Sequence, residues 1–204
     1  LGLFFSGDYD GIKNLDLVAG VRLDFLSSRA NPGGGASVRK NSDQALTGFL
    51  AGSFKLAEKF VYFANFSRAY RAADLNERFY SGITGRGFII ANPGLKSESS
   101  INLDTGLKFI ERRVFVGLYG FSYDIQDMIE RYRVAERTYT YGNIEKGRIR
   151  GFELECQYFP WPGLSLFGNW ALIDGRSLKS DVPLNDVPPQ RLFLGTRAWI
   201  GRLS

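Results

Sequence analysis

The stretch NPGLKSESSINLDTGLK (residues 92–108) sets a loop signal, Asn92-Pro93-Gly94, directly ahead of strict alternation. Ile101, Leu103, Thr105, Leu107 and Phe109 fall on one side of an extended chain, with Asn102, Asp104, Gly106 and Lys108 on the other. Strand side chains point alternately to the two faces, so the pattern predicts a strand with one apolar and one polar face. What meets each face decides the fold. A core below and water above make a soluble sheet, whereas lipid outside and a wet interior make a membrane barrel.

Composition narrows the field. The 204-residue chain is rich in Gly and aromatics and holds one Met and no His, a profile that suits an all-β protein. One cysteine, Cys156, excludes a disulfide within the chain and a Cys-based zinc site. Without histidine, Ser-His or Cys-His nucleophilic pairs and His-ligated metals cannot be built from these residues. No catalytic residue, metal ligand or cofactor site is therefore expected, and the chain is not expected to be an enzyme. The net charge is +5, but Lys and Arg are interleaved with Asp and Glu, so no nucleic-acid groove is expected. No apolar run reaches the roughly 20 residues of a transmembrane helix, and barrel strands, which alternate, escape that criterion.

Nine strands are expected, at 1–7, 15–26, 44–56, 60–70, 99–110, 114–126, 147–158, 164–173 and 190–200. The connections alternate without exception between short and long. GDYDGIKN, AEK, ERR and FPWPG are short; segments 27–43, 71–98, 127–144 and 174–189 are long and polar. Sorting of short turns to one end and long loops to the other is the habit of an outer-membrane barrel, not of a soluble sandwich. Most of these strands also reach the roughly 9–11 residues that a tilted strand needs to cross the hydrocarbon layer. By alternation alone a soluble antiparallel sandwich would be preferred; loop sorting and strand length reverse that order.

Leu15, Leu17, Ala19, Val21, Leu23 and Phe25 oppose Asp16, Gly20, Arg22 and Asp24, and Phe152, Leu154, Cys156 and Tyr158 oppose Glu153, Glu155 and Gln157. The apolar face is assigned to lipid and the polar face to the lumen. Tyr9, Phe60, Tyr62, Phe109, Phe115, Tyr158, Phe159, Trp161 and Trp199 near the short turns are placed as an interfacial aromatic girdle. In 60–70 and 114–126 both faces are partly apolar, and the register stays open. An odd number of strands cannot close a bacterial single-chain barrel, so the chain is expected to be part of a larger one.

Residues 92–108 resemble the Asn-Pro-x-Leu-x-x-Glu box of TonB-dependent outer-membrane receptors. LVAGVRLD (17–24) is similar to the family's Gly-x-Arg-x-Asp strand end, and YFANFSRAYRAADLNE (62–77) to its Tyr-x-x-x-Ser-x-x-aromatic-Arg-Ala-Pro segment. NIEKGRIRGFELE (143–155) and LNDVPPQRLFLG (184–195) resemble its Ile-x-Gly-Phe-Glu strand and its Pro-Pro-x-Arg strand start. Ala73 and Ser97 stand where the family usually has Pro. The resemblance implies that residues 1–204 form part of one barrel domain of about 22 strands, without the plug and the closing strands. It implies an importer in the bacterial outer membrane that binds a scarce chelate, chiefly a ferric siderophore. Its partners would be the TonB complex, reached through the missing plug, and outer-membrane lipid and lipopolysaccharide. A passive porin or adhesin barrel and a soluble β-sandwich binding module are the alternatives.

The expected contacts lie in the long connections: Arg71, Arg78, Tyr80 and Arg86 in one, Arg133 and Tyr139 in another. Guanidinium forks and aromatic rings suit an anionic, ring-bearing chelate such as a ferric catecholate, through bidentate charge-assisted bonds and cation-π contact. Haem receptors of the family typically carry a His between the Arg-Ala-Pro and Asn-Pro boxes, and this chain has none. GGG within 31–36 lacks the strand-to-helix setting of a phosphate loop and reads as flexible loop.

Overall fold

The computed structural model describes residues 1–30, 39–185 and 187–199; the Gly-rich 31–36 segment and the chain after Trp199 lie outside them. The strands are β1 (Gly2–Ile12), β2 (Leu15–Ala30), β3 (Arg39–Ala57) and β4 (Phe60–Arg71). An insertion follows, with helix α1 (Leu75–Phe79) and the short strands β5 (Gly82–Thr84) and β6 (Gly87–Ile90). The chain continues through β7 (Glu98–Glu111), β8 (Val114–Ala135), β9 (Thr138–Tyr158), β10 (Leu164–Ser177) and β11 (Arg191–Ala198). The nine long strands form a meander in which each pairs antiparallel with the next. All nine expected strands are present.

Cross-strand registry settles the faces. One row runs across the whole sheet through Ile12, Leu15, Phe54, Tyr62, Leu107, Leu118, Leu154, Trp170 and Leu192. The adjacent row on the other face is Asp16, Ser53, Phe63, Gly106, Tyr119, Glu153, Ala171 and Arg191. Paired residues in neighbouring strands share a face, so these rows fix the two registers that alternation left open. On β4, Tyr62 and Phe66 belong to the apolar face; on β8, Val116 and Leu118 do, while Phe115, Tyr119, Phe121 and Tyr123 turn to the polar side. Phe115 therefore leaves the expected aromatic girdle and sits opposite Gln157.

The aromatic rings of the polar face lie down against the wall rather than standing away from it. Phe63 covers Gly106 and Phe121 covers Gly151, its direct cross-strand partners, leaving no room for a Cβ at either glycine. The apolar face is bare: Leu50 is 56 %, Leu103 49 % and Leu192 65 % exposed. Among the described residues no second sheet covers it, so the sandwich alternative lacks its core.

Short turns close one end. Asn14, in the turn after β1, takes a left-handed backbone with φ 66°, a conformation Asn tolerates better than most residues. Lys59 and Glu111 form an ion pair that ties the β3–β4 turn to the β7–β8 turn. At the other end, segment 127–144 differs from the expected loop. It is the continuation of β8 and β9, which run for 22 and 21 residues and turn at Arg137, where φ is 50°. There Arg131, Arg133, Tyr139 and Tyr141 share one face, with Tyr132 and Thr140 on the other, so charged and aromatic residues mask the apolar-polar alternation.

Candidate ligand-binding site

Segment 72–97 builds one side of the site. α1 is a single turn held by a capping box: the Asp74 carboxylate accepts from the Glu77 N–H at 2.8 Å, and the Glu77 carboxylate accepts from the Asp74 N–H at 2.8 Å. Glu77 also accepts from Arg71, whose guanidinium spans to Glu98 at 2.6 and 2.8 Å. Glu98 in turn accepts the backbone N–H of Ile129 at 2.5 Å. A charged chain thus joins α1, β4, β7 and β8 on the polar face of the sheet, the face of Arg71 and Glu98.

The Asn-Pro box staples the returning limb. The Asn92 amide donates to Tyr141 O at 2.9 Å and its carbonyl oxygen accepts from Gly94 N–H at 3.0 Å. Asn143 accepts from Lys96 N–H and donates back to Lys96 O, both at 2.9 Å. Leu95 is buried with Ala73 and Ile129 against Tyr141, so Ala73, in the usual Pro position, fills a small apolar cluster. β6 adds to the free edge of β9 in parallel, Ile89 opposite Tyr139.

Between this insertion and the β8–β9 hairpin lies an open cavity of about 680 Å³. Of the expected contacts, Arg71, Arg86, Arg133 and Tyr139 line it. Arg131 and Tyr141, from the same connection as Arg133 and Tyr139, line it as well; opposite residues on β8 and β9 pair Arg131 with Tyr141 and Arg133 with Tyr139. The Arg131 guanidinium stands 5.4 Å from the Tyr139 ring centroid, a cation-π distance. Glu77, Glu98 and Glu130 also face the cavity. Arg71 is engaged by the first two, and Asn185 donates to Glu130 at 3.3 Å.

Two expected contacts stand elsewhere. The Tyr80 hydroxyl donates to Ile83 O at 3.1 Å within the insertion. Arg78 is 1 % exposed, and its guanidinium grips Asp43 of β3 at 2.8 and 3.1 Å while also donating to Leu95 O and Ser97 Oγ. Burial and these bonds remove it from ligand reach. Asp43 stands at the long-loop end of β3, beyond Leu46, the last large apolar residue of that strand's lipid-type face. Arg78, helped by Ser97, holds its carboxyl below the ordinary carboxylate value against the opposing effect of burial. Among the described residues no group of His, Cys, Asp or Glu gathers to hold a metal. A separate groove of about 390 Å³ beside Cys156 and Gly168 opens on the apolar face.

A family model described as TonB dependent receptor-like, beta-barrel matches residues 1–203. The curated "Heme/hemopexin utilization protein C" of Haemophilus influenzae (strain 86-028NP) is 28 % identical over 182 residues, 76 % of this chain and 25 % of that protein. The solved structure "Copper transporter OprC" aligns over 98 % of this chain and 33 % of its own, with TM-score 0.82 and 22 % identity. The ferric-catecholate import receptor Fiu from K12 E. coli aligns over 97 % and 31 %, with TM-score 0.72 and 15 % identity. The alcaligin outer-membrane receptor FauA from Bordetella pertussis aligns over 99 % and 34 %, with TM-score 0.70 and 16 % identity. The chain spans a quarter of the curated relative and about a third of these structures.

Proposed function

We propose that this chain, which belongs to the TonB-dependent receptor β-barrel family of the bacterial outer membrane, forms the wall and outer mouth of an importer of an anionic ferric siderophore. The family consists of transport receptors rather than enzymes. The reading assigns the apolar row to lipid, the polar face to the lumen and the long-loop end to the cell exterior. Energy coupling is left to a plug and the TonB complex, outside this sequence, and the outward face is assigned to outer-membrane lipid and lipopolysaccharide.

The observation that carries the cargo class is the gathering of Arg86, Arg131 and Arg133 with Tyr139 and Tyr141 in one open cavity. A catecholate complex of Fe(III) is a multiply charged anion with flat rings. Guanidinium pairs two of its oxygens at once and stacks on the rings. The iron belongs to the cargo, and its own ligands fill its coordination sphere, so the protein needs no metal-binding residue.

Haem is the second reading, favoured by the name of the Haemophilus influenzae relative; the chain has no His to ligate its iron. The test is binding of a ferric tris-catecholate, a ferric hydroxamate and haem to cells carrying the full-length receptor, with Arg86, Arg131 and Arg133 changed to Ala singly and together. Selective loss of the catecholate supports the proposal. Binding of haem alone replaces the cargo assignment, and unchanged catecholate affinity in the triple variant refutes the site.

A further inference from the structure

We propose that Arg78 is a positioning residue: a buried clasp that seats segment 72–97 against β3 and so sets the width of the chelate cavity. The inference rests on the cavity being the cargo site. Its starting point is the place of a charge. A guanidinium at 1 % exposure, within an insertion at an open mouth, loses its hydration and is sustained only by close partners. Arg78 has them on two segments. It meets both Asp43 oxygens on β3, and Leu95 O and Ser97 Oγ on the limb that returns to β7. Ser97 completes the ring by donating to Asp43 at 2.8 Å. The Arg78 Nε remains buried without a partner, which marks a group placed for what its two terminal nitrogens hold.

The geometry connects this clasp to the cavity through the insertion itself. α1 is fixed by Arg78 to β3 on one side, and by the neighbouring Glu77 to Arg71 on the other. From that seat the chain runs through β5 to Arg86, then returns as β6 along the edge of β9, Ile89 opposite Tyr139. Arg86 comes from the insertion, whereas Arg131, Arg133 and Tyr139 come from the β8–β9 hairpin. The separation between the two sets is fixed jointly by the β6–β9 pairing at one end of the insertion and by the seat of α1 at the other. An anion that needs donors from both sides is bound tightly only if that separation is set beforehand. Ser97, in place of the family's usual Pro, supplies a hydroxyl that a proline could not.

The experiment uses the full-length receptor with Arg78→Ala, Arg78→Lys and Asp43→Asn. Asp43→Asn, nearly isosteric, remains informative if Arg78→Ala fails to fold. Each is read for half-saturation and maximal rate of ferric tris-catecholate uptake, and for mobility of a spin label at Gly85, the tip of the β5–β6 hairpin. The expected result is a tenfold or greater rise in half-saturation for Arg78→Ala and Asp43→Asn, a smaller rise for Arg78→Lys, maximal rates within twofold, and a more mobile label. A label as immobile as in the parent overturns the clasp. A mobile label with unchanged half-saturation overturns the positioning role, as does a fall in maximal rate alone. The label arm needs no ligand, so failure of the clasp is distinguishable from failure of the cargo assignment, which the cavity arginine variants test.

Discussion

The Tyr123 hydroxyl donates to the Asp104 carboxylate at 2.7 Å across the β7–β8 ladder. Asn65 donates to the other oxygen of the same carboxylate at 3.0 Å. Asp104 is thereby held on the polar face by both neighbouring strands, while Leu103, one residue earlier, stands on the apolar face between Phe66 and Ser122.

That opposition predicts a sharp difference between adjacent positions. Leu103→Arg places a cation on the lipid face and is expected to cost about 2 to 4 kcal/mol at the bilayer midplane. Asp104→Asn keeps two polar partners and is expected to cost about 1 kcal/mol, the loss of charge assistance in its hydrogen bonds. Folding titrations of the full-length receptor into lipid vesicles measure both; the reverse order would overturn the face assignment.

Topology follows from the two ends of the sheet. Cysteines at Gly85, where a side chain meets open space, and at Glu136 in the β8–β9 turn are expected to react with an impermeant maleimide on intact cells. One at Arg112, in the short β7–β8 turn, is expected to be protected until the outer membrane is permeabilised. Labelling only at Arg112 would invert the orientation.

In the cavity, loss of one guanidinium that makes a charge-assisted contact is expected to weaken chelate binding by about 1.5 to 3 kcal/mol, roughly tenfold or more in dissociation constant. Tyr139→Leu also removes the ring beneath Arg131 and is expected to cost about 0.5 to 1 kcal/mol, two- to fivefold. Titration of whole cells carrying Arg86→Ala, Arg131→Ala, Arg133→Ala or Tyr139→Leu tests the order. An effect of Tyr139→Leu larger than any arginine loss would make stacking, not charge, the main source of affinity.

The Asp43–Arg78 pair predicts a pH response. The folded-state pKa of Asp43 is depressed, so its contribution is present above the ordinary carboxylate value of about 3.9 and is lost as pH falls through the lower, folded value. Between pH 5 and 8 the mobility of a spin label at Gly85 is therefore expected to stay constant, with release only in more acid solution. Release near neutral pH would mean that another group controls the insertion.

Much of this protein was determined by local sequence. Alternation in 15–26, 99–110 and 147–158, the sorting of short and long connections, and the family motifs at strand ends were enough for nine strands, an apolar and a polar face, and an outer-membrane barrel. These signals survive in one dimension because side-chain direction repeats every two residues and turns need only a few adjacent residues. The tertiary structure decided what depends on a neighbour. Tyr62 and Leu118 are assigned to the apolar face by the residues opposite them, since both alternatives on their own strands are partly apolar. The extension of β8 and β9 through 127–144 follows from pairing of two charged, aromatic segments that each look like loop. Arg78 and Arg86 read alike in sequence, yet one is buried against Asp43, thirty-five residues earlier in the chain, and the other lines the cavity. An arginine's partners, and hence whether it holds the fold or meets a ligand, are set by contacts between distant segments, which exist only once the sheet has brought them together.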